Sequence, residues 1–373
     1  MKIDMNDPTP FYEQIQNILK YEIRNGSLKE GDKIGSHNEL AKKYNVSLIT
    51  VKKALSNLIK DGVLISRIGK GTFVSSGENK IDISKHKSIG LVLRDLNHPF
   101  FSPIVKSVEK KVSELGYNLL LASSSGDKEK EENQISHFRR IGVSGLIIAS
   151  TTLDYNASDY IKKLQVTNFP YVMISYMHDP DYWYVGIEQE LGGYMATKHL
   201  ISLGYKKIGC VHGGKGNLLG EIRKNGYARA LSEKNIPFNS KYIYYLDQRK
   251  SRFESGNDFG KIFLEIKDKP EALFFYTDSA AMGFQQAVVE RGMKIPNDIA
   301  MVGFNDIEIA KFATSPLTTI KQDAFKIGKL AAQIVVNRIE GKEQPNRMIL
   351  NPELIIRESC GSKKKSTKSK RKA

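Results

Sequence analysis

The sequence predicts a chain in two parts: a small, mainly helical module with a β-hairpin over residues 1–74, and a larger α/β module of two lobes over 88–360. Three observations predict it. Helical periodicity with cap residues fills the first 60 residues, and a glycine-bounded hairpin follows. From residue 89, short apolar runs alternate with amphipathic stretches.

In the first part, Phe11, Ile15, Ile18, Leu19 and Ile23 fall on one helical face, and Asn25-Gly26 closes that helix. Ser36-His37-Asn38-Glu39 has the spacing of a capping box, in which a hydroxyl takes a free backbone N–H and the glutamate reaches back. Leu40, Ala41 and Tyr44 then face inward, and Asn45 ends the helix. Ser47 caps a third helix whose inward side chains are Val51, Ala54, Leu55, Leu58 and Ile59. Two short helices about a tight turn at 44–46 make a helix-turn-helix. Strands at 63–66 and 72–74 pair across Ile68-Gly69-Lys70-Gly71, where glycine makes a tight turn possible. This is a wing, and Lys70 at its tip reaches a phosphate or a minor groove. The expected partner of a winged helix-turn-helix is double-stranded DNA.

Residues 75–87 are polar and read as a linker. Beyond them, apolar runs recur at 89–93, 118–122, 145–149, 171–175, 207–211, 242–246, 272–276 and 300–304, with helical patterns such as 104–115 and 192–203 between them. Strands alternating with helices give parallel sheets covered on both faces. Eight runs exceed one small sheet and suggest two α/β lobes. Ligands in such folds bind beyond the carboxyl ends of the strands. The residues there are polar or aromatic: Asn97 to Phe101, Ser175-Tyr176, Thr277-Asp278 and Asn305-Asp306.

The net charge is +16. Residues 1–80 hold 13 Lys/Arg against 9 Asp/Glu, and residues 363–373 hold seven basic residues and no acid. That tail, 361–373, is expected to be disordered, as an electrostatic arm on DNA or a solubilising extension. No stretch approaches the roughly 20 apolar residues of a membrane span, and the N-terminus lacks the apolar core of a signal peptide. A cytoplasmic protein without membrane contact is expected. The two cysteines, Cys210 and Cys360, lie in no metal-ligand spacing, and Cys210 reads as a buried thiol. Gly213-Gly214-Lys215-Gly216 lacks the P-loop ending, and no GxSxG or HExxH occurs. No catalytic residue, metal or cofactor is expected, and the chain does not read as an enzyme.

Residues 11–74 resemble the GntR family of bacterial regulators. The landmarks are Tyr12-Glu13-Gln14-Ile15, Gly31-Asp32, Glu39-Leu40-Ala41, Val46-Ser47, Thr50-Val51-Lys52-Lys53-Ala54-Leu55, Asp61-Gly62 and Gly69-Lys70-Gly71-Thr72-Phe73-Val74. The resemblance implies DNA contacts for Ser47, Thr50, Lys52 and Gly69, in an interface that also holds Asn38, Lys53 and Lys70. Where the family has arginines, this chain has Asn38 and Leu48, so bidentate guanine contacts are lost, and Asn38 is suited to adenine.

From residue 88 to about 358 the chain resembles the effector domain of the LacI family, itself similar to periplasmic sugar-binding proteins. The landmarks include Asn97-His98-Pro99-Phe100-Phe101, Gly192-Gly193-Tyr194, Arg223 with Gly226-Tyr227, Thr277-Asp278, the run 295–304 and Pro316-Leu317-Thr318-Thr319-Ile320. The resemblance implies a homodimer on a near-palindromic operator, and a sugar-type effector between the lobes that adjusts transcription of carbohydrate-utilisation genes, as a repressor. Phe100 and Phe101 would stack on it. His98, Ser175, Arg223, Thr277, Asn305 and Gln322 would hydrogen-bond it, with Tyr176 alongside. Chain crossings near 185–187 and 316–320 would be hinges. The family often has Asp at the positions of Ser175 and Asn305. Two carboxylates are therefore missing, and a deoxysugar, a phosphorylated or acidic sugar, a non-sugar metabolite or a domain that only dimerises all stay open.

Overall fold

The computed structural model describes residues 3, 9–67, 70–75, 87–150, 158–176 and 181–362. Gly69, most of the linker and the basic tail from 363 lie outside the described residues. The chain divides into two compact units, Met1–His86 and Lys87–Ala373.

The first unit comprises α1 (Phe11–Arg24), α2 (His37–Tyr44), α3 (Leu48–Lys60), β1 (Leu64–Arg67) and β2 (Gly71–Val74). The caps form as the sequence predicts. The Glu39 N–H donates to Ser36 Oγ (3.3 Å), and the Ser36 N–H donates to the Glu39 carboxylate (2.7 Å). Asn45 closes α2 at φ 51°, a left-handed position that asparagine tolerates. The Thr50 N–H donates to Ser47 Oγ at 3.2 Å, starting α3. Ile15, Leu19, Leu40, Val51, Leu55 and Leu58 form the core. Each contributes about 1.5–3 kcal/mol by leaving water. Two side chains expected inside are not: Phe11 is 37% exposed and Ile59 36%. Phe11 is the first residue of α1 and Ile59 sits one residue from the end of α3, where little chain remains to cover them. Leu64 pairs with Val74 and Arg67 with Gly71 in the wing.

The second unit holds two six-stranded sheets. The first contains β3 (Ser88–Leu93), β4 (Asn118–Ser123), β5 (Gly145–Ile148), β6 (Tyr171–Ser175), β7 (Tyr184–Ile187) and β13 (Arg347–Leu350), in the order β13-β7-β6-β5-β3-β4 and all parallel. The second contains β8 (Ile208–His212), β9 (Ile243–Tyr245), β10 (Ala272–Phe275), β11 (Ala300–Asn305), β12 (Thr318–Lys321) and β14 (Glu353–Ile355), in the order β14-β12-β11-β10-β8-β9, with only β14 antiparallel. Helices α4 (Phe101–Glu114), α5 (Lys128–Arg140), α6 (Asp159–Val166) and α11 (Ala324–Ile339) serve the first lobe. Helices α7 (Gln189–Ser202), α8 (Leu218–Ser232), α9 (Arg252–Glu265) and α10 (Asp278–Val289) serve the second.

All eight apolar runs are strands. Four further strands were not read as such, and two of them, β7 and β12, run through the stretches near which the crossings were expected. Val185 and Ile187 are paired in β7, and Thr318 to Ile320 are paired in β12. The crossings follow those strands, at Glu188 and at Gln322-Asp323, and a third, unexpected one lies at Asn351-Pro352. The Glu188 N–H donates to the Leu350 carbonyl (3.0 Å), so two crossings run side by side. The glycine run at 213–216 is the turn between β8 and α8, with Gly214 and Gly216 at positive φ. Cys210 is buried in β8, and burial pushes its thiol up to about 12. Among the described residues no helix is long and apolar enough to cross a membrane.

Candidate effector cavity and nucleic-acid interface

A cavity of about 580 Å³ opens at the carboxyl ends of the strands of both sheets. Asn97, His98, Phe100 and Phe101 line it beyond β3, and Ser150 beyond β5. Asn217, Gln248, Tyr276, Thr277, Asn305 and Gln322 line it from the second lobe, beyond or at the ends of β8 to β12. Its size is that of a small-molecule site.

Helices α7 and α8 cross closely behind its Arg223 wall. A Cβ on Gly193 would meet the Arg223 carbonyl oxygen at 2.0 Å, and one on Gly226 would meet the Glu190 carbonyl at 2.0 Å. Only glycine permits this approach, which brings Gln189 at the head of α7 against Arg223 in α8. The guanidinium donates to Gln189 Oε1 through Nε (3.0 Å) and Nη2 (2.8 Å), and to the Tyr276 carbonyl through Nη1. It also lies 3.7 Å over the Phe304 ring. Gln189 Nε2 donates to Gln322 Oε1 (3.2 Å), and Gln322 Nε2 donates to Asn305 Oδ1 (2.5 Å). Gln189 and Gln322 flank two of the crossings, so one hydrogen-bonded chain joins the cavity wall to the chain segments that link the lobes.

Asn305 and Asp306 hold positive φ, 118° and 56°. Such a backbone costs of order 1–3 kcal/mol per residue and persists where surroundings fix it. Here the Asp306 carboxylate pairs with Arg357 (2.5 Å), and the Ile307 N–H donates to buried Asp278 (3.0 Å). Thr319 Oγ1 also donates to Asp278 (2.6 Å), whose carboxyl burial pushes up to about 6. Asp278 was a sequence landmark without an assigned task; it holds the turn that presents Asn305.

On the first lobe, His98, Phe100 and Phe101 form an edge-to-face cluster, with the two phenyl centroids 5.4 Å apart. The Phe100 N–H donates to His98 Nδ1 (3.3 Å), which requires an unprotonated nitrogen there. Burial pushes the imidazole down to about 4, and Arg252, Arg94 and Arg223 add repulsion that Asp95 opposes.

Of the nine expected effector residues, His98, Phe100, Phe101, Arg223, Thr277, Asn305 and Gln322 line the cavity. Tyr176 does not: its ring stands edge-on to Tyr184 at 6.3 Å, off the cavity wall. Ser175 closes β6, and its side chain lies outside the described residues. The sequence reading missed Gln189, Arg94 and Arg252, the last two being cavity-lining cations. The position of Arg94, just past the first apolar run, was the available signal.

In the first unit, Asn38, Ser47, Lys52, Lys53 and Lys70 are exposed and Thr50 is half-buried. The Ser47 and Thr50 hydroxyls lie 2.7 Å apart at the head of α3. Lys53 leans away, its ammonium 3.9 Å over the Tyr12 ring. Leu48 and Ile49, 39% and 78% exposed, put apolar surface at the same helix start.

A winged helix-turn-helix followed in one chain by a cavity-bearing two-lobed α/β domain defines a ligand-responsive DNA-binding regulator. Residues 11–74 match the model of bacterial regulatory proteins of the gntR family, and residues 197–360 match a periplasmic binding protein-like domain. An arabinose metabolism transcriptional repressor of Geobacillus stearothermophilus is 32% identical over 358 residues, 94% of this chain and 97% of the relative. Among solved structures, the transcription regulator GntR of Chromobacterium violaceum has a TM-score of 0.67 at 25% identity, covering 74% of this chain and 99% of that one. A LacI-family regulator of Enterococcus faecium with bound ribose has 0.64 at 25%, covering 73% and 98%. The chain belongs to the GntR family of transcription regulators, with a periplasmic-binding-protein-like domain behind the reading head.

Proposed function

We propose that the protein is a cytoplasmic, homodimeric repressor of carbohydrate-utilisation genes, and that a sugar or sugar derivative in the interlobe cavity sets its affinity for operator DNA. It acts by binding, not by catalysis. Asn38, Ser47, Thr50, Lys52 and Lys70 contact the DNA, and the resemblance adds Gly69, which lies outside the described residues. Lys53 takes part by releasing Tyr12. Two heads related by a two-fold axis favour a near-palindromic site. The observation that carries the reading is the hydrogen-bonded chain from Arg223 through Gln189 and Gln322 to Asn305, which ties the cavity to the lobe crossings. A ligand that touches Phe100 and Phe101 on one lobe and Thr277 and Asn305 on the other favours the closed form by differential affinity. The arabinose repressor and the ribose-bound regulator support a carbohydrate. A thermal-shift screen against sugars tests the reading, because a ligand of the native state raises the melting temperature. A positive sugar must also change operator affinity in a gel-shift titration; a sugar that stabilises the protein without changing DNA binding contradicts it.

A further inference from the structure

Two guanidiniums, Arg94 just beyond β3 and Arg252 at the start of α9, line the cavity from opposite lobes. Neither forms an ion pair among the described residues. The neighbouring cations are engaged: Arg249 with Asp247 (2.8 Å), Lys250 with Asp258 (2.5 Å), and Arg223 with Gln189 and the Tyr276 carbonyl. Among the described lining residues the acid is Asp95, which accepts from the Asn97 N–H (2.9 Å). Behind the wall, buried Glu131 accepts from Ser150 (3.1 Å). Arg94 and Arg252 act electrostatically on the same two groups, His98 and Tyr276, so their charges converge on one region. Arg252 lies 6.0 Å over the Tyr276 ring. The caps of α8, α9 and α10, which are Asn217, Ser251 and Thr277, line the same space and add the positive ends of three helices.

Closing the lobes removes water from both guanidiniums. Burying charge that is incompletely balanced is unfavourable, and with a neutral polyol both guanidiniums share, among the described lining residues, the one carboxylate of Asp95. An anion between them turns the same closure into a gain, because charge-assisted hydrogen bonds are about twice as strong as neutral ones. We propose that the effector is a polyhydroxylated metabolite bearing an anionic group, a phosphate ester or a carboxylate, held between Arg94 and Arg252. This rests on the reading of the cavity as the effector site. The phenyl cluster and the amides take the polyol body, and the two arginines sense the charge and bridge the lobes.

The test is calorimetric titration of the full-length chain with D-ribose, D-ribose 5-phosphate, D-glucose, D-glucose 6-phosphate, D-glucuronate and inorganic phosphate. The variants are Arg94→Gln, Arg252→Gln, Arg223→Ala and, as charge control, Lys106→Gln on the exposed face of α4. Inorganic phosphate is expected to bind wild type, and an anionic sugar to bind at least about 10-fold tighter than its neutral parent. Arg94→Gln and Arg252→Gln should each weaken anion binding by about 10-fold or more, and Lys106→Gln should not. A sugar phosphate preferred over glucuronate assigns the phosphate ester, and the reverse assigns the carboxylate. Identical phosphate isotherms in wild type and both arginine variants overturn the proposal. So does a neutral sugar whose affinity survives both substitutions while being lost in Arg223→Ala, and that outcome leaves the sugar-cavity reading standing. Binding of every ligand that survives Arg223→Ala overturns the cavity reading as well.

Discussion

The two functional surfaces are built on opposite principles. In the reading head, Asn38, Lys52 and Lys70 stand outside a continuous apolar core and the fold does not depend on their polar groups, whereas Ser47, also exposed, caps α3. In the cavity, Arg223, Gln189, Gln322 and Asn305 are 4%, 2%, 6% and 7% exposed and bonded to one another. Side chains of the first kind act singly, and their substitutions should add. Those of the second kind act as a unit, so truncating one strands its neighbours in a buried site.

The sharpest way to break this contrast is Arg223→Ala. It leaves Gln189 Oε1 and the Tyr276 carbonyl without their donor, at roughly 1–3 kcal/mol for each buried group. The α/β unit should lose roughly 2–5 kcal/mol in urea unfolding, and effector response should vanish while the reading head still binds DNA. Leu58→Ala is the mirror experiment. It empties a core position in the first unit at about 2–4 kcal/mol. Operator binding should fall with the head's stability, and calorimetric effector binding should be unaffected. An equal loss of both activities in either variant would show that the two units do not behave separately.

Lys52→Ala sharpens the reading-head side. Operator affinity should drop by about 1–3 kcal/mol if the ammonium reads a base, and no change in stability is expected. An equal loss on operator and on random DNA assigns a phosphate contact instead. The smallest effect concerns His98. Its folded pKa lies below the unfolded value, so the unfolded chain takes up the proton first as pH falls. Stability from this group is full above pH 6.5 and is lost between 6.5 and about 4. The loss is on the order of 1–2 kcal/mol after allowance for cavity water. His98→Gln should flatten that part of the stability-against-pH curve; an unchanged curve would contradict a buried neutral imidazole.

The same contrast explains what could be read in the sequence. Local signals foretold the head: Ser36 with Glu39, Asn45 and Ser47 are caps that act within one turn. Long buried runs such as 272–276 announced the sheets. Strands β7, β13 and β14 were not legible, because four or three residues, partly exposed in the last two, carry no distinctive pattern. Phe100 and Phe101 were legible from their place past the first apolar run and through resemblance, and Arg223 through resemblance alone. Tyr176 follows the end of β6 but does not line the cavity, its ring standing edge-on to Tyr184. Gln189 could not have been found: its importance comes from two glycines, Gly193 and Gly226, that let α7 and α8 approach.

The central claim is that occupancy of the cavity and of the DNA are coupled. Linkage makes this measurable from the effector side, since the factor by which effector changes operator affinity equals the factor by which operator changes effector affinity. The direct measurement is the dissociation constant of the sugar found by thermal shift, determined by calorimetry with the protein free and saturated with an operator selected in vitro. A ratio of about 5–150 between the two values is predicted for the wild type, with no detectable effector binding in either state in Arg223→Ala. Equal affinities for free and operator-bound wild type would contradict the account.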